Sequence, residues 1–182
     1  MEQDCPTALA FLTCCSCLAP ANIPEGVVGT GMTLESNSSL EPREVLRILK
    51  RYSLISWDPG QKSFSIHRLM QEFLQERAQG EMAFCLERVM RALTETVEKH
   101  DRSIERFKCD FALLPHLEMV LDRVKEVKKP SVALKKVQVE VLVCTSDLYI
   151  DMGFYQKAIP LAEQAVERSK LLGEESRLVG ES

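Results

Sequence analysis

The chain lacks an apolar run long enough to cross a bilayer, which takes about 18 residues or more. The nearest approach, residues 8–20, is shorter, and it follows an acidic start, MEQD, where an export signal would be basic. Also missing is any G-x-x-x-x-G-K-[ST] segment, so no loop is fitted to cradle phosphates and no lysine is placed to neutralise them. EGVVGTGM contributes Gly26, Gly29 and Gly31 without that lysine or a preceding strand, and no acidic strand for magnesium is evident. There is no H-E-x-x-H and no serine elbow. His67, His100 and His116 fall in unrelated segments, and Cys109 and His116 stand about 10 Å apart along a helix, too far for a dyad. Positive charge is not in excess either: a net −4 gives no overall cationic field for nucleic acid. These absences predict a chain with no catalytic residues, no cofactor and no membrane span.

What is present begins with cysteine. Seven is an odd number, and Cys5, Cys85, Cys109 and Cys144 are scattered singly, unlike a secreted disulfide framework. The expected compartment is therefore reducing and cytoplasmic. Cys14, Cys15 and Cys17 crowd together in FLTCCSCLAP. Cys14 and Cys17 form a C-x-x-C, but zinc needs two more ligands and no second pair has ligand spacing, so no metal is expected. A thioredoxin-like role needs a βαβ setting, which is missing. Modification by palmitate is left open, and the expected role is that of small hydrophobes in a buried helix.

At 182 residues the chain can hold one ordinary domain or two small ones. The uncharged PTALAFLTCCSCLAP reads as a short, almost wholly buried helix between Pro6 and Pro20. Residues 21–40, with three glycines and SNSS, read as a loop or a degraded helix. Then Ser39 or Glu41 can cap a helix that begins near Pro42 and places Val45, Leu46, Leu49 and Tyr52 on one face. SLISW and KSFSI alternate about the turn DPGQ and predict a β-hairpin. A further amphipathic helix follows, with Leu69, Met70, Phe73 and Leu74 inward and Arg68, Gln71, Glu72 and Gln75 outward. Helix, hairpin and helix behind a buried helix describe a winged-helix-like module over residues 1–79.

Beyond it the pattern is helical. Leu86, Val89, Leu93 and Val97 form one stripe, and Leu113, Leu117, Val120 and Val124 another, with Pro115 starting or kinking its helix. These make a helical linker, 80–130, closed by the charged joint KEVKKPS. Two helices, about 132–151 and 155–172, then complete a pair over 131–172, with a flexible tail at 173–182. The fold class expected is mainly α, a winged-helix-like module followed by antiparallel helical hairpins.

In SDLYIDMGFYQKAIPLAEQAVERS, Tyr149, Gly153, Tyr155, Ala158 and Ala165 meet the spacing Y-x-x-x-G-x-Y-x-x-A…A. This segment resembles a tetratricopeptide repeat, with Ser146 in place of the usual glycine or alanine and Lys170 in place of proline. One such repeat cannot bury its own faces, so either the helices at 81–127 stack on it or the chain is the front of a longer array. LKRYSLISWDPGQKSFSIHRLMQEFLQER, with LAPANIP before it and LLPHLEMVL after, resembles the winged-helix segment of STAND-type signalling NTPases with an NB-ARC-like core. The likeness covers most of residues 7–172, in that family's order.

That resemblance implies a protein-interaction and regulatory role, with a protein or peptide held on the helical repeats. Gln138 and Asp151 are the candidate partner-facing residues. It also implies docking against a nucleotide-binding domain, in cis or in trans, where His67 would contact the phosphates of bound ADP. Arg68 departs from the acidic residue of the plant-resistance version, and a histidine that simply caps or packs the junction is the alternative. Two other readings stand. The chain could be an incomplete piece of a longer NTPase, or a DNA-binding regulator using Arg43, Arg47, Lys50 and Arg51 with Lys62 on the wing. Glu41, Glu44 and Asp58 dilute that patch, and DNA is not the expected partner.

Overall fold

The computed structural model describes residues 4–29, 42–78, 80–98 and 104–180. Its elements in chain order are α1 (Asp4–Cys15), β1 (Ile23–Pro24), α2 (Glu25–Gly29), α3 (Pro42–Arg51), β2 (Ile55–Asp58), β3 (Ser63–Ile66) and α4 (Arg68–Arg77), then α5 (Met82–Glu98), α6 (Ile104–Val124), α7 (Val132–Asp151) and α8 (Tyr155–Gly180). The chain is thus mainly helical with one small antiparallel sheet. The expected caps at Ser39 and Glu41 lie outside the described residues.

The hairpin stands where alternation and turn chemistry put it. Asp58 Oδ1 accepts from the backbone N–H of Gly60 at 2.8 Å and of Gln61 at 3.2 Å, closing the turn before β3 returns. β3 is the central strand of three, in the order β1-β3-β2. β1 pairs Ile23 with Phe64, so the segment expected as loop or degraded helix supplies a strand as well as the short α2. Two residues are too few to show alternation, and Pro24 is tolerated because β1 is an edge. On the other side β2 sets Trp57 opposite Phe64 and Ile55 opposite Ile66.

Phe64, fully buried, meets Phe11 of α1 with ring centroids 6.4 Å apart. From Ala8 onward α1 carries no charge, and it delivers Ala8, Phe11, Leu12, Cys14 and Cys15 to the core, with Leu9 exposed. α3 starts at Pro42 and buries Val45, Leu46 and Leu49, whereas Tyr52, expected on the same face, is exposed. The helix has ended by then: Ser53 takes a left-handed φ of 56° and the chain turns toward β2.

α5 and α6 do more than link. Leu86, Val89 and Leu93 of α5 and Leu113, Leu117 and Val120 of α6 belong to one continuous core with the N-terminal elements and α7. Pro115 sits inside α6 rather than at its start. His116 ties α6 to the chain just before β1 through Nε2, 3.1 Å from the Asn22 carbonyl oxygen. α8 continues past residue 172, where sequence periodicity ends it, to Gly180.

Candidate functional site

α7 and α8 form a tight antiparallel hairpin. Ser131 caps α7, its Oγ accepting from the Leu134 N–H at 3.0 Å. Gly153, at φ 78°, makes the turn a side chain would resist, and the Phe154 N–H donates to the Tyr149 carbonyl at 2.8 Å. Ala158 and Ala165 are buried on the side of α8 that meets α7, where small side chains allow close approach. Tyr149 is buried at the junction of three helices. Its hydroxyl donates to the Glu118 carboxylate of α6, its ring packs edge-on against Phe154, and Lys157 of α8 lies 5.1 Å over it. Burial and the Glu118 charge push its phenol pKa up.

Outside these contacts the hairpin exposes apolar side chains in a pattern. Val132, Val143 and Ile150 on α7 fall within about 20° of one line at 100° per residue, and Tyr155, Ile159 and Val166 on α8 within about 40° of another. Each line lies about 100° round from the contact between the two helices. Because the helices run antiparallel, both lines face the same side of the hairpin. On α7 that side is opposite Leu134, Val137 and Val141, which pack into the core shared with α5 and α6. The hairpin therefore gathers exposed apolar side chains on the side directed away from the body of the protein, with Lys136 among them on α7. Exposed apolar side chains gathered on one side mark interaction sites more often than singly scattered ones do.

The two residues expected to face a partner are not brought together. Gln138 is buried between α7 and α8, where its Oε1 accepts from Arg168 Nη1 at 3.0 Å. It holds the hairpin closed, a correction to the expectation that it faces outward; a polar residue one position off the apolar stripe gives no sign of this by itself. Asp151 is exposed at the end of α7, about 20 Å along the helix from Gln138.

His67 is the N-cap of α4. It has extended φ and ψ of −62° and 134°, and its Nδ1 accepts from the Leu69 N–H at 3.3 Å. Its side chain is exposed. α4 meets the expectation in part, with Leu74 buried, Met70 half-buried against the core and Arg68 and Glu72 exposed, but four positions correct it. Gln71 is buried and donates through Nε2 to the Leu18 carbonyl at 3.0 Å, and Gln75 donates to the Ser16 carbonyl at 2.7 Å, while Leu69 and Phe73 are exposed. The chain leaving α1 bends through residues 16–18, and the carbonyls of Ser16 and Leu18 lie there unpaired by any helix. Two glutamine amides on the inner face of α4 satisfy them, and that need outweighs burial of two apolar side chains.

The cysteines form a cluster that spacing alone cannot reveal. Cys14, Cys15 and Cys17 are joined by Cys85 of α5, all four buried. The Cys14 thiol is hydrogen-bonded to Cys85, which raises the pKa of the former and lowers that of the latter. Burial raises that of Cys15 well above the ordinary thiol value and pushes Cys17 up to about 12, and the Cys17 thiol lies 3.3 Å from the Met82 sulfur. With their pKa values raised, Cys14, Cys15 and Cys17 stay protonated and act as core. Among the described residues no group of three or more His, Cys, Asp or Glu side chains is arranged to hold a metal ion, and no helix is long and apolar enough to cross a membrane.

Residues 1–83 match a family model described as a domain of unknown function (DUF7779). The match ends at the start of α5, so it concerns the module built by α1, the sheet and α4 and leaves the α7–α8 surface outside. No curated protein and no solved structure matches the chain.

Proposed function

We propose that this chain is a non-catalytic protein-interaction and regulatory module, similar to the adaptor part of a STAND-type NTPase that carries tetratricopeptide repeats. The observation that carries the reading is the apolar surface on one side of the α7–α8 hairpin. Val143, Ile150, Ile159 and Val166 are exposed there at helical spacing, beside a buried seam of Ala158 and Ala165. Each aliphatic side chain of that size gains roughly 1.5–3 kcal/mol on full burial, so covering several stabilises a complex appreciably. The shape suits another helix or helical hairpin, supplied by a partner or by further repeats of the same type.

In this reading the N-terminal elements form a winged-helix module. What supports it is the succession of α1, β1, α2 and α3 before a hairpin, with β1 completing the sheet beside β3. The module docks on a nucleotide-binding domain, in cis or in trans, and the exposed His67 at the N-terminus of α4 is the residue offered to its phosphates. The place of action is the cytoplasm.

A photo-crosslinking amino acid placed in turn at Val143, Ile159 and, as a control, the exposed Glu163 tests the proposal in cells that express the chain. Crosslinks to one discrete protein from Val143 and Ile159 but not from Glu163 are expected. Equal labelling from all three, or labelling from none, overturns it.

A further inference from the structure

A second surface, remote from the α7–α8 hairpin, has the chemistry of a ligand groove. Arg43, Arg47 and Lys50 stand at i, i+4 and i+7 of α3, hence on one helical face, and line a cavity of about 270 Å³ together with Leu46, Trp57 of β2 and Glu25 of α2. The cationic side chains reach solvent: that of Arg43 is 88% exposed and that of Arg47 78%. Glu25 meets Arg43 at 3.4 Å and Glu44 meets Arg47 at 3.7 Å, pairs that orient the guanidinium groups but do not bury them. The apolar part comes from the buried Leu46 and the half-buried Trp57, whose indole offers both a flat face and an N–H donor. Three cations against one lining carboxylate, in a chain of net charge −4, make this a local positive site on an acidic protein.

We propose that this groove binds an acidic peptide segment in extended conformation, with apolar side chains between the acidic ones. The spacing argues for it. Along α3 the step from Arg43 to Arg47 is about 6 Å and from Arg47 to Lys50 about 4.5 Å. Same-side residues of an extended chain repeat about every 6.6 Å, so carboxylates at alternate positions meet Arg43 and Arg47 in register, and the flexible lysine stem takes up the next. The intervening side chains then point away from α3, where Trp57 of β2 is the apolar group of the lining, and Leu46 packs between the cations against the peptide's own stem atoms. Its volume admits a few side chains, whereas a helix, about 10 Å across, does not fit. Glu25 opposes any anion equally, so the apolar lining decides: a nucleic-acid backbone leaves Leu46 and the flat face of Trp57 uncovered, whereas the apolar side chains of the peptide cover them. The inference rests on α3, β2 and α2 alone and is independent of the reading of the α7–α8 surface.

Trp57 is the only tryptophan in the chain, so its emission reports directly on the groove. The probe is an acetylated and amidated heptapeptide alternating glutamate with leucine and phenylalanine (ELEFELE), titrated into the 182-residue protein beside its lysine counterpart (KLKFKLK) and a short DNA duplex. A saturable shift with ELEFELE is expected, weakening several-fold as salt rises from about 50 to about 200 mM. Affinity should fall about tenfold or more in Arg47→Glu/Lys50→Glu, with unfolding of the free protein unchanged. If that variant does not fold, Arg47→Gln/Lys50→Gln serves in its place, with a smaller loss expected. No saturable response to ELEFELE, an equal response to KLKFKLK, binding undiminished in both charge variants, or tighter binding of the duplex each overturns the proposal. Substitution of Val143 or Ile159 should leave this titration unchanged, which separates the two surfaces.

Discussion

Arg168 of α8 donates through Nη1 to the Gln138 Oε1 of α7 across 3.0 Å, joining the two helices of the C-terminal hairpin by a charge-assisted hydrogen bond. Gln138 is buried and Arg168 only partly so. Removing the amide therefore leaves the guanidinium able to find water, and the cost falls on α8 rather than on the whole fold. Gln138→Ala is expected to cost about 1–2 kcal/mol. Amide exchange should quicken in α8 more than in α5, and uniform quickening across both helices would count against this account.

The cysteine cluster gives a sharper contrast. Cys15 is wholly buried with apolar neighbours such as Leu12 and Leu18 in the same core. Cys15→Ala removes a sulfur atom's packing and should cost about 1 kcal/mol, whereas Cys15→Ser keeps the size but buries a hydroxyl and should cost more, about 1–3 kcal/mol. Chemical denaturation of the two variants orders them. A serine variant as stable as the alanine variant would mean that the hydroxyl finds a partner.

How far the sequence reveals this fold follows from the range of each interaction. The hairpin, α3, α5, α7 and the glycine turn at Gly153 are legible because alternation, helical period and turn residues act over neighbouring positions. β1 is not, since it exists only through its pairing with β3 some forty residues on. The facing of α4 misleads for a related reason: Leu69 and Phe73 give it an apolar face, yet the carbonyls that claim Gln71 and Gln75 belong to a distant turn. Gln138 and Cys85 are the same case at the candidate surface and in the core, their partners Arg168 and Cys14 being visible only once the helices are packed.

The rotated facing of α4 makes its own prediction. Gln71→Leu leaves the Leu18 carbonyl without its donor in a buried place, at an expected cost of about 1–3 kcal/mol, despite the gain in hydrophobicity. Phe73→Ser, on the exposed side, should change stability by less than about 0.5 kcal/mol. Thermal unfolding of both variants checks this. The opposite order would restore the amphipathic reading.

His116 couples stability to pH. It is buried, and with Nε2 donating to the Asn22 carbonyl its Nδ1 has no hydrogen-bond partner among the described residues. Burial lowers its pKa below 6.5 in the folded state, with the Asn22 bond opposing in part. The unfolded chain therefore takes up this proton first as pH falls. The contribution of the neutral ring is complete above about pH 6.5 and is lost progressively below it, down to the folded-state value. Comparing the unfolding midpoints of wild type and His116→Gln between about pH 7.5 and about pH 5 isolates this group. The wild type should lose more stability than the variant over that range, and parallel curves would contradict the assignment.

Gly153 tests the turn that sets α8 against α7. Its φ of 78° is a region L-residues avoid, while a methyl group at this position would meet nothing within 4 Å, so Gly153→Ala adds backbone strain and no clash. The expected cost is about 1–2 kcal/mol. Asn tolerates the left-handed region better than Ala, so Gly153→Asn should lose less. Because Phe154 N–H bonds to the Tyr149 carbonyl across this turn, strain relieved by opening it also loosens the contact of Tyr149 with Phe154. The apolar surface depends on that contact for the relative placement of its α7 and α8 halves. Crosslinking yield from Val143 and Ile159 should therefore fall in Gly153→Ala and recover in part in Gly153→Asn, tracking the two unfolding midpoints. Yields that stay equal while the midpoints differ would separate the surface from the turn.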